Sequence, residues 1–197
     1  MNKIAPPLAR AAASAALALA SLGVHAAPVQ TVVQSTDYGL LNLPYTQGFS
    51  LSLAPAASDD TFLSDCGFSI GGGGSFSSAV VTFDLGSAFQ LSNLTVTLLE
   101  GDAWSGPVPS ALTTAQITDR DSRIVATGTG SSMNKVIDQM TLGPGSYFVE
   151  VSGNVTGANG GSFGGLLNVA AVPEPAGVVL AAAGLGLLAF ARRRAAR

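Results

Sequence analysis

Short runs in which apolar and polar residues alternate one by one are the strongest constraint on the fold of this chain. Phe49, Leu51 and Leu53 alternate with Ser50 and Ser52. Val81, Phe83 and Leu85 alternate with Thr82 and Asp84, and Leu94, Val96 and Leu98 with Asn93, Thr95 and Thr97. Tyr147, Val149 and Val151 alternate with Phe148, Glu150 and Ser152. Successive side chains of a strand point to opposite faces, so this period of two predicts antiparallel strands with one face buried. The breaks fall at turn-forming residues: Gly71–Gly74, the polar stretch from Gly101 to Pro109, and Leu142-Gly143-Pro144-Gly145-Ser146. Asp119-Arg120-Asp121-Ser122 reads as a link between a strand ending at Ile117 and one starting near Arg123. No segment from Ala27 to Val172 carries a helical repeat. The predicted fold is all-β, an antiparallel β-sandwich, flanked by an N-terminal signal helix and a C-terminal transmembrane helix.

The two ends set the boundaries of that domain. Lys3 and Arg10 precede an apolar run from Ala11 to Leu22 and then Val24-His25-Ala26-Ala27. A charged start, an apolar middle and a small-residue cleavage site describe a secretory signal peptide over 1–26, cut after Ala26. The sandwich then spans 27–171. From Val172 the chain reads Val172-Pro173-Glu174-Pro175, sixteen apolar or small residues over 176–191, and Arg192-Arg193-Arg194. Sixteen helical residues reach about 24 Å, short for a bilayer core of about 30 Å. The arginines belong on the cytoplasmic side, which places the domain on the far side of the membrane.

Residues 172–197 resemble the PEP-CTERM sorting signal of Gram-negative bacteria, in which a Val-Pro-Glu-Pro motif precedes a short membrane helix and an arginine cluster. The resemblance implies recognition by an exosortase-type enzyme, transient residence in the inner membrane and passage to the cell surface or an exopolysaccharide-rich matrix. The other reading is a plain type I membrane anchor. The domain is also similar to the FxDxF group of such proteins. Tyr45-Thr46-Gln47-Gly48-Phe49 stands at the group's motif, with Tyr for the first Phe and Gln for the Asp, and a Gly-Pro-Gly-Ser-Tyr turn and a Gly-rich strand over 160–169 follow.

Charge and missing residue types exclude several activities. Between 27 and 172, eleven acids stand against three bases, Arg120, Arg123 and Lys135, a net charge of −8. Nucleic-acid binding needs a basic footprint, so no nucleic-acid partner is expected. His25 is the single histidine and lies in the signal peptide. The processed chain therefore cannot form a Ser-His-Asp or Cys-His nucleophile, or a histidine metal site. Cys66, the single cysteine, can form no internal disulfide and falls on the apolar side of Phe62-x-Ser64-x-Cys66-x-Phe68-x-Ile70, as a small buried hydrophobe.

The remaining candidates are weak. Asp59-Asp60, Asp65 and Asp119-x-Asp121 offer oxygen ligands for Ca²⁺, but no EF-hand pattern surrounds them and Asp is a common turn residue; Asp119 and Asp121 are the metal candidates. Glu150 reads as an ordinary exposed charge on a polar strand face. Trp104, in Gly101-Asp102-Ala103-Trp104-Ser105-Gly106, is a possible sugar contact or a loop residue capping one end of the sandwich. No cofactor is expected, and no catalytic residue. The expectation is a non-enzymatic surface or matrix protein, structural or adhesive, with a carbohydrate- or Ca²⁺-binding module as the alternative.

Overall fold

The computed structural model describes residues 30–55, 61–172, 183 and 185. The signal peptide 1–26, His25, Asp59, Asp60, Pro173, Glu174, Pro175 and Arg192 to Arg194 lie outside the described residues. Of the expected helix 176–191 only Ala183 and Leu185 are described, both helical. Among the described residues no helix is long and apolar enough to cross a membrane.

The described chain folds as two packed sheets. One has five strands in the order β1-β3-β8-β5-β6: β1 Gln30–Leu40, β3 Thr61–Ile70, β8 Gly145–Val155, β5 Leu91–Glu100 and β6 Ile124–Thr127. The other has four in the order β2-β9-β4-β7: β2 Tyr45–Leu53, β9 Gly161–Ala171, β4 Gly74–Phe83 and β7 Asn134–Leu142. All pairs are antiparallel except β1 with β3. That exception follows from the path of the chain. It reverses from β1 into β2 of the opposite sheet and reverses again into β3, which therefore runs parallel to β1.

Apolar faces of both sheets meet in one core. Phe68 of β3 stacks on Phe76 of β4 with centroids 5.7 Å apart, and Phe62 stacks on Phe163 at the same distance. Leu94, Val96, Leu98, Tyr147, Val149 and Val151 are buried as their alternation predicts, and so is Cys66. In β9, Gly165 lies opposite Phe49 of β2, and the Phe49 ring occupies the space that a side chain at Gly165 would need.

Two expectations are corrected. The alternation in β4 has the opposite phase: Phe76, Ser78, Val80 and Thr82 point inward, while Val81 and Phe83 are 48% and 61% exposed. Phe76 and Val80 anchor the strand inward, and a period of two then sends Val81 and Phe83 to the opposite face. Thr82 satisfies its inward-facing hydroxyl by donating it to the Met133 carbonyl at 3.4 Å.

The segment 114–122 is a helix, α1 Thr114–Ser122, not strand and turn. Its start has a full capping box. The Thr113 hydroxyl accepts from the Gln116 amide at 3.3 Å, and the Gln116 side chain accepts from the Thr113 amide at 2.9 Å. Only Arg120 of this helix is buried. The helix therefore owes its place less to an apolar stripe than to one guanidinium.

Candidate functional site: the Arg120 clamp and the Trp104 loop

The outer face of the five-stranded sheet is covered by the chain from Gly101 to Arg123. Beneath it runs a polar row across four strands. Ser35 of β1 lies opposite Asp65 of β3, Asp65 opposite Glu150 of β8, and Glu150 opposite Thr97 of β5. Leu63, Leu99 and Phe148 of the same strands are fully buried beside it. Two carboxylates directly opposite each other repel, and Asp65 of this pair lies wholly out of water.

Arg120 resolves the conflict. Its Nη2 donates to Asp65 Oδ1 at 2.5 Å, its Nε to Glu150 Oε2 at 2.7 Å and its Nη1 to the Ala103 carbonyl at 3.2 Å. The guanidinium carbon lies 4.7 Å from the ring centroids of both Trp104 and Phe148, within cation–π range. Only arginine can supply this planar fork together with stacking. Asp65 is 0% exposed, and its Oδ2 has no hydrogen-bond partner among the described residues. Burial pushes the Asp65 carboxyl up to about 7, against the lowering effect of Arg120.

Trp104 is half-buried and fixed at two points: its Nε1 donates to Ser35 Oγ at 3.0 Å, and its ring packs on Arg120. It borders two clefts. One, about 370 Å³, is lined by Asp102, Ser105, Gln116, Asp119, Arg120 and Arg123 among others. The second, about 250 Å³, lies toward Asp37, Ser69, Val108 and Tyr147. Asp102, Ala103 and Trp104 border both. Arg123 closes the helix end, pairing with Asp119 at 3.1 Å and donating to the Asp102 carbonyl at 3.0 Å.

The residues singled out from sequence fall into different places. Trp104 lies at the clefts. Asp119 and Asp121 lie on α1 rather than in a loop, two positions apart, a spacing that does not bring side chains together on a helix. Asp119 is paired with Arg123 and Asp121 is exposed. Asp65 is on a strand and not in a turn, and Glu150 is 14% exposed and ion-paired, not an open surface charge. Among the described residues no three His, Cys, Asp or Glu side chains are grouped to hold a metal. Val172, the first residue of the sorting motif, follows β9 directly, and its amide donates to the Gly73 carbonyl at 3.4 Å. Sequence reading missed Arg120 as the organising residue. Two signals pointed to it: Thr113-x-x-Gln116 is a capping-box pattern, and Asp65 is the one charge in the strand segment Thr61–Ile70.

The fold and this site define a β-sandwich domain with a sealed ionic clamp. Residues 171–195 match the PEP-CTERM protein-sorting motif. The chain is thus a β-sandwich protein that carries a PEP-CTERM motif, which implies exosortase-dependent sorting of an exported protein. No curated protein matches this chain. Among solved structures it is similar to the pre-peptidase C-terminal domain of a collagenase from Bacillus anthracis, with 16% identity, a TM-score of 0.37, and coverage of 68% of this chain and 93% of that one.

Proposed function

We propose that this protein is a non-enzymatic component of the cell surface or of an exopolysaccharide matrix, delivered by an exosortase-type enzyme that acts on its tail, with a structural or adhesive role. The signal peptide brings it out, and the short apolar segment 176–191 holds it in the inner membrane until processing. The match of residues 171–195 to the sorting motif carries this reading. The chemistry of the domain supports it. The buried ionic groups, Asp65, Glu150 and Arg120, are paired with one another and covered by Trp104 and Phe148, an arrangement that stabilises a scaffold and exposes no acid–base pair to substrate. Replacing Pro173, Glu174 and Pro175 together by Ala in the producing cell is expected to leave the protein in the inner-membrane fraction. Unchanged delivery to the surface would overturn the exosortase route.

A second reading has its own support. One tryptophan bordering two polar clefts is chemistry suited to stacking on a sugar ring. Trp104 is the single tryptophan, so its emission reports on those clefts alone. A saturable change of emission with polysaccharide fragments favours a carbohydrate-binding module; a flat titration removes it.

A further inference from the structure

Among the described residues, one sheet edge of the sandwich is without protection. A free edge strand is a template for another chain, and proteins blunt such edges with charge, proline, bulges, short length or a covering segment. Three of the four edges here are treated in this way. β6 has four residues. β7 carries Lys135 and Asp138 and a bulge opposite Ser77. β1 has two irregularities in register and Asp37, and the segment at Ser110–Leu112 bonds along it, with the Val32 amide on the Ser110 carbonyl and the Leu112 amide on the Gln30 carbonyl, each 3.0 Å.

β2 has none of these devices. It reads Tyr-Thr-Gln-Gly-Phe-Ser-Leu-Ser-Leu over Tyr45–Leu53, with no charge and no proline. It pairs with β9 over nine successive residues without a shift in register. Among the described residues its other edge has no strand beside it. Next to it an apolar cleft of about 170 Å³ opens between the two sheets, bordered by Val33, Leu53 and Phe62, with Val33 40% exposed.

We propose that β2 pairs with β2 of a second copy of this chain, in antiparallel fashion, joining two four-stranded sheets into one of eight strands. Three observations select a second copy. The domain carries a net charge of −8, so two copies repel except along an uncharged line, and β2 is such a line. The strand is self-complementary: a two-fold axis at Phe49 sets Thr46 opposite Ser52 and Gly48 opposite Ser50 on the exposed face, and Tyr45 opposite Leu53 and Gln47 opposite Leu51 on the inner face. In this register Tyr45 of the second copy falls beside Leu53, which borders the open Val33 cleft.

The geometry has a consequence for the tail, and here the inference rests on the proposed sorting. β9 delivers Val172 at one pole of the sandwich, and the two-fold axis sets the two Val172 residues at opposite poles. Pairing therefore joins copies released from the membrane, or held on facing surfaces, and not neighbours anchored side by side.

Sedimentation velocity of the full chain in detergent over a concentration series tests the pairing. The native chain is expected to form dimers. Ser50→Lys, at an exposed position, weakens association at least tenfold, while Thr95→Lys, exposed on the other sheet, leaves it unchanged. Thr46→Cys and Ser52→Cys chains cross-link when mixed. Thr46→Cys alone does not, because its two thiols are then about 20 Å apart along the strands. A chain that stays monomeric, dimers indifferent to Ser50→Lys, or Thr46→Cys chains that cross-link among themselves as readily as with Ser52→Cys would each overturn the proposal. These readouts are independent of tail processing, so a failure of the sorting account leaves them intact, and the reverse.

Discussion

Asp65 and Glu150 face each other across the β3–β8 pair, and the single guanidinium of Arg120 holds both, at 2.5 and 2.7 Å. Burial of Asp65, with a smaller push from the Glu150 charge, explains why its carboxyl resists ionisation although it touches an arginine. Arg120, the one buried residue of α1, ties the helix to the sheet.

Removing that tie leaves the buried Asp65 and the mostly buried Glu150 without their cation. Breaking a buried ion pair from one side costs about 3–5 kcal/mol, so Arg120→Ala is expected to destabilise the protein by that order in urea unfolding. Arg120→Lys recovers only part of it, because an ammonium cannot reach both acids and the Ala103 carbonyl in one plane. A loss below about 1 kcal/mol for Arg120→Ala would show that α1 is held by other contacts.

The clamp predicts a pH dependence of defined sign. The Asp65 carboxyl lies near the ordinary carboxyl value of 3.8 when unfolded and is raised to about 7 in the fold. Between these values the native state binds the extra proton, so stability from this group is full below pH 4 and is lost as pH rises through 7. The native protein is expected to gain melting temperature from pH 7.5 to pH 5 relative to Asp65→Asn, whose profile lacks this contribution. Parallel profiles for the two proteins would contradict the buried, shifted carboxyl.

The inverted phase of β4 separates two phenylalanines seven positions apart on the linear chain. Phe76 is fully buried and stacked on Phe68, whereas Phe83 is 61% exposed. Phe76→Ala is expected to cost about 3–5 kcal/mol, and Phe83→Ser to change stability by less than about 0.5 kcal/mol. Comparable losses at both sites in thermal unfolding would return the strand to the phase its sequence suggests.

Cys66 is 3% exposed and close to Tyr38, and burial pushes its thiol from 9.0 up to about 11. Two units mean about a hundredfold less thiolate at a given pH. Labelling of the native protein at pH 8 is expected to be at least a hundredfold slower than in urea. Completion within minutes without denaturant would place the thiol at the surface.

How much of this was legible in the sequence depends on what decided each feature. Where polar residues alternate with the core-facing ones, as in β5 and β8, the alternation gave both the element and its inner residues, but not that Leu99 and Phe148 on the outer face are buried too. In β4, two apolar residues lie on the outer face, so the local pattern named the wrong one. β1 shows no clean alternation because it is an edge strand with intermediate burial along most of its length, and sequence periodicity passed over it. α1 escaped because its contact with the sheet is ionic and not apolar; no hydrophobic stripe marks it, and only the capping box betrays its start. The clamp joins residues 55 and 30 positions apart, a pairing that emerges only once β3 and β8 are in register.

The central claim concerns the tail. The intact mass of the protein recovered from the producing cells and from their medium tests it most directly. The account predicts a surface or medium form that has lost residues 1–26 and ends within or just after Val172–Pro175. Recovery only of a membrane-bound chain still ending in Arg197 would contradict it and leave a plain membrane anchor in its place.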